Sequence, residues 1–224
     1  MLPRPLGNLV DPIIEVTRAS YEGSASGYAD STWDYESYPG LYAEAFEFSE
    51  SVRLKGPIMD LGCGAGRDAT FFNSRGHRVM AADISEAMLH EARRRITSVE
   101  RSQIEFTCLD LRQLPFKGGS FNGVWASGSL LHISRDDMLP TLRQIVRVLK
   151  RDGIATLSMK RGTTEGWERL GAVSGSRWFT YVEPEDFSGL MRQAGFKSVV
   201  CQSSGRGAWF LATGTSPKEE DCGP

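Results

Sequence analysis

The stretch Asp60-Leu61-Gly62-Cys63-Gly64-Ala65-Gly66 decides the fold, because its glycines recur at every second position between a strand pattern and a helix pattern. Residues 57–61 predict the strand, and residues 68–75 predict a helix that ends at Gly76. Glycines lack Cβ atoms, so they permit positive φ and let the backbone approach a ligand closely. The stretch therefore predicts a ligand-binding loop at the carboxyl end of a strand.

Downstream of this loop, strand and helix patterns alternate as they do in a parallel α/β sheet. Further strands are predicted at 78–82, 104–108, 122–126 and 154–159, with helices beginning near Ser85, Ser134 and Pro184. The last two strand patterns, 197–202 and 208–213, lie too close in the chain for a parallel crossover. We predict a doubly wound α/β domain whose seven-stranded sheet is mostly parallel, with an antiparallel last strand.

The segments outside these patterns predict the domain organisation. Residues 1–54 predict an N-terminal helical cap, packed on a core at 55–215, because aromatic residues crowd this part of the chain. The connection 160–181 has no regular pattern and is longer than most connections, so we predict a lid or acceptor-binding loop there. Residues 216–224 are polar and predict a flexible tail.

Composition and charge exclude several classes of protein. With 26 basic and 28 acidic residues the net charge is -2, which lacks the electropositive footprint of a nucleic-acid binder. Four cysteines without a C-x-x-C pair argue against a zinc site or a disulfide scaffold. No apolar run approaches the ~18 residues that span a bilayer, and no leader pattern begins the chain. We predict a cytoplasmic monomer or homodimer without a metal, membrane or nucleic-acid partner.

A carboxylate indicates what the glycine loop binds. Asp83 ends the second predicted strand, 17 positions after Gly66, where a carboxylate can accept hydrogen bonds from a ribose diol. A dinucleotide fingerprint, G-x-G-x-x-G, would need its third glycine at Arg67, but the spacing is G-x-G-x-G. No Gly-Lys-Ser/Thr follows either, so a Walker loop is absent. The pattern favours a nucleoside-containing ligand other than a dinucleotide.

Taken in order, these motifs resemble the class I S-adenosylmethionine-dependent methyltransferases. The resemblance rests on the glycine loop, Asp83, Leu109-Asp110-Leu111 and the run Phe121-Asn122-Gly123-Val124-Trp125-Ala126, and it covers roughly residues 55–215. Residues 125–132 and Arg177-Trp178-Phe179 look like a bacterial branch that contains tellurite-resistance-type and small-molecule methyltransferases. Asn122 departs from the aspartate that is usual in the family, which changes one local hydrogen bond.

The resemblance implies S-adenosylmethionine as methyl donor and S-adenosylhomocysteine as product. It implies that the glycine loop holds the methionine part, Asp83 the ribose hydroxyls and Asp110 the adenine amino group, although Asp110 could instead be a turn residue. The donor-binding residues that it implies are Tyr21, Tyr28, Asp60, Gly62, Cys63, Gly64, Gly66, Arg67, Asp83, Ile84, Met88, Asp110, Leu111, Ala126 and Ser127.

His132 follows the fourth predicted strand, so we predict a general base there, with a packing histidine as the alternative. The acceptor-binding residues that we predict are Trp33, Tyr38, His132, Lys160, Arg177 and Trp178. The predicted function is in-line N- or O-methylation of a small-molecule acceptor. A transfer-RNA or protein methyltransferase, a non-catalytic S-adenosylmethionine binder, and a protein that uses the site for another reaction stay open as alternatives.

Overall fold

The computed structural model describes residues 11–52, 55–97 and 103–217. Its helices are α1 (Pro12–Glu22), α2 (Ala25–Thr32), α3 (Pro39–Ser51), α4 (Arg67–Ser74), α5 (Glu86–Arg95), α6 (Arg135–Val148) and α7 (Pro184–Ala194), with a 3-10 turn at Leu130–His132. Its strands are β1 (Ile58–Leu61), β2 (Val79–Asp83), β3 (Ile104–Cys108), β4 (Phe121–Ser127), β5 (Leu149–Lys160), β6 (Glu165–Glu168), β7 (Arg177–Thr180), β8 (Lys197–Ser203) and β9 (Trp209–Thr215).

Seven of these strands form the predicted sheet, in the order β3-β2-β1-β4-β5-β9-β8. The first five strands of that order pair in parallel, and β9 pairs antiparallel with both β5 and β8. The predicted fold class is confirmed. Along the chain, β2 is added on one side of β1, and β4 is added later on the other side. The carboxyl end of β1 therefore lies at the switch point, where such sheets form a ligand-binding crevice.

β1 is buried along its whole length, as expected for a central parallel strand that helices cover on both faces. Helix α3 packs closely against β4, the strand next to β1, and so helps to bury this part of the sheet. A Cβ atom on Gly123 of β4 would lie 2.7 Å from Val52 Cγ2 and 2.9 Å from Phe48 Cζ. Phe48 in turn packs against Phe72 of α4 and Trp125 of β4. Thus α3 belongs to the core.

We expect Gly123→Ala to lower the free energy of unfolding by about 1–3 kcal/mol, because the added methyl group overpacks the contact between β4 and α3. Urea denaturation measures this change. Gly166→Ala is the matched control, since a Cβ on Gly166 meets no atom within 4 Å. Equal urea midpoints for the two variants would contradict the packing described here.

Helix α1 crosses the carboxyl ends of the strands and is held at three places. At its start, Asp11 caps the helix and also pairs with Arg112. In its middle, the Thr17 hydroxyl accepts a hydrogen bond from the Trp178 backbone N–H, 3.0 Å away. At its end, the Glu22 carboxylate accepts hydrogen bonds from the first backbone N–H groups of α5. Helix α1 of the predicted cap, residues 1–54, therefore lies over this edge of the sheet, and the division of the chain into cap and core stays a prediction.

The prediction of an irregular connection at 160–181 is wrong, because β6 and β7 form an antiparallel pair within it. Pairing brings Trp167 beside Trp178, with ring centroids 5.4 Å apart. β6 has the sequence Glu-Gly-Trp-Glu, whose single apolar residue gives no strand pattern, so the pair escapes sequence analysis. Helix α6 ends at Val148, because Leu149 already pairs with Phe121.

Within the ranges given above, no helix has the length and apolar character needed to cross a bilayer. Residues 1–10 of the predicted cap and 218–224 of the predicted tail lie outside the described residues. Ser216, at the start of the predicted tail, is buried and accepts a hydrogen bond from the Gly153 N–H.

Candidate functional site

A first cavity lies at the switch point, beneath α1. Its walls come from the carboxyl ends of β1, β2 and β4, from the loop after β3 and from the inner face of α1. The lining residues are Ile14, Thr17, Arg18, Tyr21, Tyr28, Leu61, Gly62, Gly64, Ala82, Asp83, Ile84, Met88, Leu109, Asp110, Leu111, Ser127, Gly128, Ser129, His132 and Ile133. We call this the donor cavity.

The glycine loop and Asp83 form one hydrogen-bonded unit. Gly62 and Gly64 both have positive φ, at 80° and 54°, which residues with a Cβ rarely adopt. Asp83 Oδ2 accepts from the Gly64 N–H at 2.8 Å, and Oδ1 accepts from the Ser85 N–H at 2.9 Å. Burial raises the pKa of the Asp83 carboxyl, and the backbone hydrogen bonds oppose that shift. Each carboxylate oxygen keeps acceptor capacity toward the cavity.

The third glycine of the loop has a packing role. Gly66 has φ 86° at the start of α4, and a Cβ there would lie 2.9 Å from Ile96 Cδ1 and 3.1 Å from Ala92 Cβ. Gly66 therefore lets α4 approach α5. It does not line the cavity, in contrast to Gly62 and Gly64.

Asp110 lines the donor cavity but is also part of a charged cluster. The Arg112 guanidinium donates to Asp110 Oδ2 at 2.7 Å and 2.9 Å and to Oδ1 at 3.1 Å, and Arg112 also contacts Asp11 and Asp137. The Arg112 backbone N–H donates to Asp110 Oδ1 as in a turn. The ligand and turn interpretations of Asp110 are thus compatible, because one carboxylate can accept from several donors.

A buried carboxylate beneath the glycine loop escaped the sequence analysis. Asp68 accepts hydrogen bonds from the Tyr35 hydroxyl at 2.6 Å, the Trp125 indole at 2.8 Å and Arg67 Nε at 2.7 Å. Burial and the charge on Asp68 raise the pKa of Asp60 well above its ordinary value. Only the three-dimensional fold brings these side chains together, since Tyr35, Asp68 and Trp125 are far apart in sequence.

A second cavity, of about 510 Å³, adjoins the first. It lies between α2, the glycine loop, the ends of β4, β5 and β7, and the start of β9. We call it the acceptor cavity. The residues that line both cavities, and hence mark where they meet, are Tyr21, Tyr28, Gly62, Gly64, Ser127, Gly128 and His132.

At this junction, a chain of hydrogen bonds fixes His132. Its Nδ1 lies 2.6 Å from the Trp178 carbonyl oxygen, which can only accept, so Nδ1 carries the proton. Nε2 therefore accepts from the Tyr21 hydroxyl at 2.9 Å, and the Tyr21 oxygen accepts from Arg177 Nη1 at 3.0 Å. Burial, together with the positive charges of Arg177 and Lys160, lowers the pKa of His132 to about 3, against the opposing effect of the hydrogen bond to the Trp178 carbonyl. The imidazole is neutral at neutral pH.

Comparisons with known proteins identify the family of this domain. Residues 58–153 match the family described as a methyltransferase domain. A methyltransferase of Streptomyces halstedii, GfsG, is 30% identical over 174 residues, which cover 72% of this chain and 60% of the relative. The chain belongs to the class I S-adenosylmethionine-dependent methyltransferases. It spans 60%, 35% and 42% of the lengths of the first three curated relatives.

Solved structures share the fold of this methyltransferase domain. A Burkholderia thailandensis 1,6-didemethyltoxoflavin-N1-methyltransferase, solved with 1,6-didemethyltoxoflavin and S-adenosylhomocysteine, has a TM-score of 0.73 at 21% identity and covers 95% of this chain and 93% of its own. The [4+2]-cyclase SpnF has a TM-score of 0.63 at 20% identity, over 79% of this chain and 80% of its own. Identities this low show the fold alone, and the cyclase shows that one fold carries different reactions.

Most predicted site residues of this methyltransferase domain line one or both cavities. Asp60, Gly66, Ala126 and Trp178 line neither. The Trp178 ring turns away, with its indole N–H donating to Thr180, and only its backbone contacts His132. Asp60 and Ala126 lie within the strands behind the loop, where they are buried. The roles predicted for the residues that line the cavities stay predictions.

The sequence analysis missed several residues of the acceptor cavity. Phe179, Arg206 and Trp209 line it, as do Leu170, Gly171 and Ala172 of the loop between β6 and β7. The run Arg177-Trp178-Phe179 contained a usable signal. In a strand, residues two apart share a face, so Arg177 and Phe179 lie together while Trp178 faces away.

Proposed function

We propose that this chain transfers a methyl group from S-adenosylmethionine to a nitrogen or oxygen atom of a small-molecule acceptor. One observation carries the proposal: a donor cavity and an acceptor cavity meet at a junction that contains both Gly62 and His132. Methyl transfer from a sulfonium is an in-line displacement, so the protein must align donor and acceptor and exclude water. Two cavities joined at one junction meet the requirement that donor and acceptor be aligned.

The residues of the donor cavity fit S-adenosylmethionine. Asp83 offers two carboxylate oxygens to ribose hydroxyls, and Ile84, Met88 and Leu111 offer apolar surface to the adenine ring. A Cβ on Gly64 would lie 3.3 Å from Met88 Cε, so the bare backbone at this position keeps space for the ligand. The bound donor would supply the electrophilic methyl group, and Gly62 and Gly64 would hold its methionine part.

Tyr21 and His132 give the junction a route for a proton. Tyr21 donates to His132 Nε2, so its oxygen has a free lone pair in place to accept a proton from an acceptor O–H or N–H. As the acceptor attacks the methyl group, its proton would pass to Tyr21 while the Tyr21 proton passes to Nε2. Burial raises the pKa of the Tyr21 hydroxyl, which keeps the phenol protonated and able to donate. His132 would thus act through Tyr21.

The acceptor cavity supports a small acceptor. Its volume of about 510 Å³ lies in the range of small-molecule sites. The curated relatives include an Aspergillus sclerotiorum O-methyltransferase, resE, 34% identical over 95 residues, 42% of this chain and 35% of the relative. The exclusion of nucleic acid, the oligomeric state, the cytoplasmic location and the tellurite-resistance-type branch stay predictions.

We expect S-adenosylmethionine to bind with a stoichiometry of one in calorimetry, and NAD not to bind, because the spacing G-x-G-x-G lacks the third glycine of a dinucleotide loop. An NAD isotherm without one for S-adenosylmethionine would refute the proposal.

Methyl transfer itself is tested by incubating the protein with isotopically labelled donor and a panel of small metabolites or host extract. Mass spectrometry then identifies any labelled product. Donor binding without a labelled product from any source would favour the non-catalytic binder or a different reaction. Labelled transfer RNA or protein would favour the macromolecular alternatives.

A further inference from the structure

Arg177 is buried in the wall of the acceptor cavity, and no carboxylate among the described residues pairs with it. It is 7% exposed, and its Nε has no hydrogen-bond partner within the part of the chain that the structure describes. Nη1 donates to the Tyr21 hydroxyl and Nη2 to the Leu170 carbonyl, both of which are neutral groups. A guanidinium out of water needs an anion or a full set of hydrogen bonds, and Arg177 has neither.

Lys160, at the end of β5, lines the same cavity. Its Nζ lies 5.1 Å from the ring centroids of both Phe179 and Trp209. Burial lowers the pKa of Lys160; the charge of Glu168 acts in the opposite direction, and Arg177 lowers it further. The Glu168 carboxylate accepts from the Tyr181 hydroxyl instead. The two aromatic rings stabilise the ammonium group only in part. Like Arg177, Lys160 lacks a carboxylate partner among the described residues.

The other two cations of the cavity are neutralised. Arg67 pairs with Asp68 at 2.7 Å, and Arg206 pairs with Glu44 at 2.7 Å. The excess positive charge is therefore confined to the region between Lys160 and Arg177. Phe179 packs under both cations, with its ring centroid 5.0 Å from the Arg177 guanidinium carbon, which holds the two charges on one face of the cavity.

We infer that Lys160 and Arg177 form an oxyanion site, which holds a carboxylate or phosphate group on a flat, small acceptor. The inference rests on the proposed function and names the class of acceptor. An oxyanion there would accept from Lys160 Nζ beside the charged Arg177 guanidinium, and aromatic side chains of the wall would cover the rest of the ligand. Its charge would also offset the imidazolium that forms when His132 takes up a proton.

The test compares benzoate and phenyl phosphate with neutral benzamide, by calorimetry on protein saturated with S-adenosylhomocysteine. We expect at least one of the two anions to bind about tenfold tighter than benzamide, because hydrogen bonds to charged groups are the stronger ones. The anion that binds more tightly shows whether the site prefers a carboxylate or a phosphate group. Equal affinity for benzamide and both anions would overturn the inference.

Variants locate the site. Lys160→Met should reduce the preference for the anion to within about threefold, since one charge-assisted bond is lost. Arg161→Met is the control, because Arg161 is exposed and pairs with Glu183 outside the cavity. Arg177→Met tests the second cation of the site in the same way. Should this variant fail to fold, Lys160→Met still decides the question. A preference that persists in Lys160→Met, or that is lost equally in Arg161→Met, would contradict the site.

The two proposals fail in different ways. Failure of S-adenosylhomocysteine to bind would refute the donor assignment, and the same anion titration is then run on the free protein. Donor binding without discrimination between benzoate and benzamide would refute the oxyanion site and leave the proposed methyl transfer standing.

Discussion

His132→Ala is expected to lower turnover by about 10²-fold or more and to leave donor affinity nearly unchanged, which is the signature of a group that acts in the transition state. The reason lies in the hydrogen-bond chain at the junction. Without Nε2, the Tyr21 hydroxyl has no acceptor for its proton, and the acceptor atom has no route for its own. Single-turnover kinetics with labelled donor, together with calorimetry for S-adenosylmethionine, measures both quantities.

Tyr21→Phe is the matched variant for this prediction. It removes one oxygen atom and keeps the ring that packs against Tyr28 and His132. If His132 acts through Tyr21, the two variants lose similar turnover and the double variant loses little more. Wild-type turnover in folded His132→Ala would refute the base assignment and leave proximity and desolvation as the whole mechanism.

The pH dependence of stability tests whether His132 is buried in its neutral form. The unfolded chain takes up a proton on His132 near pH 6.5, whereas the folded protein resists it down to about 3, because burial disfavours the imidazolium. Stability therefore falls as the pH drops from 6.5 toward 3. His132→Ala should show a smaller loss over this interval. Variant protein that melts earlier yet retains turnover when assayed cold would indicate a packing histidine.

Asp83→Ala is expected to weaken S-adenosylmethionine binding by about 1–3 kcal/mol, roughly 5- to 150-fold, because the ribose hydroxyls lose a charged acceptor. The same change frees the N–H groups of Gly64 and Ser85, which hold the loop in its ligand-binding conformation. Both effects act on the donor, so the loss appears in the dissociation constant.

Asp186→Ala is the control for charge. Asp186 is exposed in the first turn of α7, away from both cavities. Calorimetry of the two variants at equal ionic strength should show a loss for Asp83→Ala alone. Unchanged affinity in Asp83→Ala would remove this carboxylate from the donor site.

Local patterns were sufficient to predict the donor side of the site. The glycine spacing and a carboxylate at the end of β2 place Gly62, Gly64 and Asp83 at one sheet edge, since parallel strands end together there. The acceptor side could not be predicted in the same way. Tyr21 and His132 are 111 positions apart, and Thr17 meets Trp178 across 161. Such contacts depend on where α1 lies, which no periodicity in the chain encodes.

Buried polar clusters could not be predicted from the sequence either. Asp68 reads as an ordinary acidic residue in the first turn of a helix, where a negative charge is favourable. Its three hydrogen bonds come from an upstream loop, a neighbouring residue and a central strand. β6 and β7 were missed because each is only four residues long and is defined by its pairing with the other strand.

The way α1 is attached has a consequence for access to the donor cavity. Of residues Pro12–Glu22, Thr17 alone is fully buried, so polar contacts to Arg112, Trp178 and α5 hold most of the helix in place. Segments with few buried apolar contacts detach at low free-energy cost while the rest of the domain stays folded. Because α1 roofs the donor cavity, its detachment would open this cavity to the solvent while the sheet beneath it stays folded.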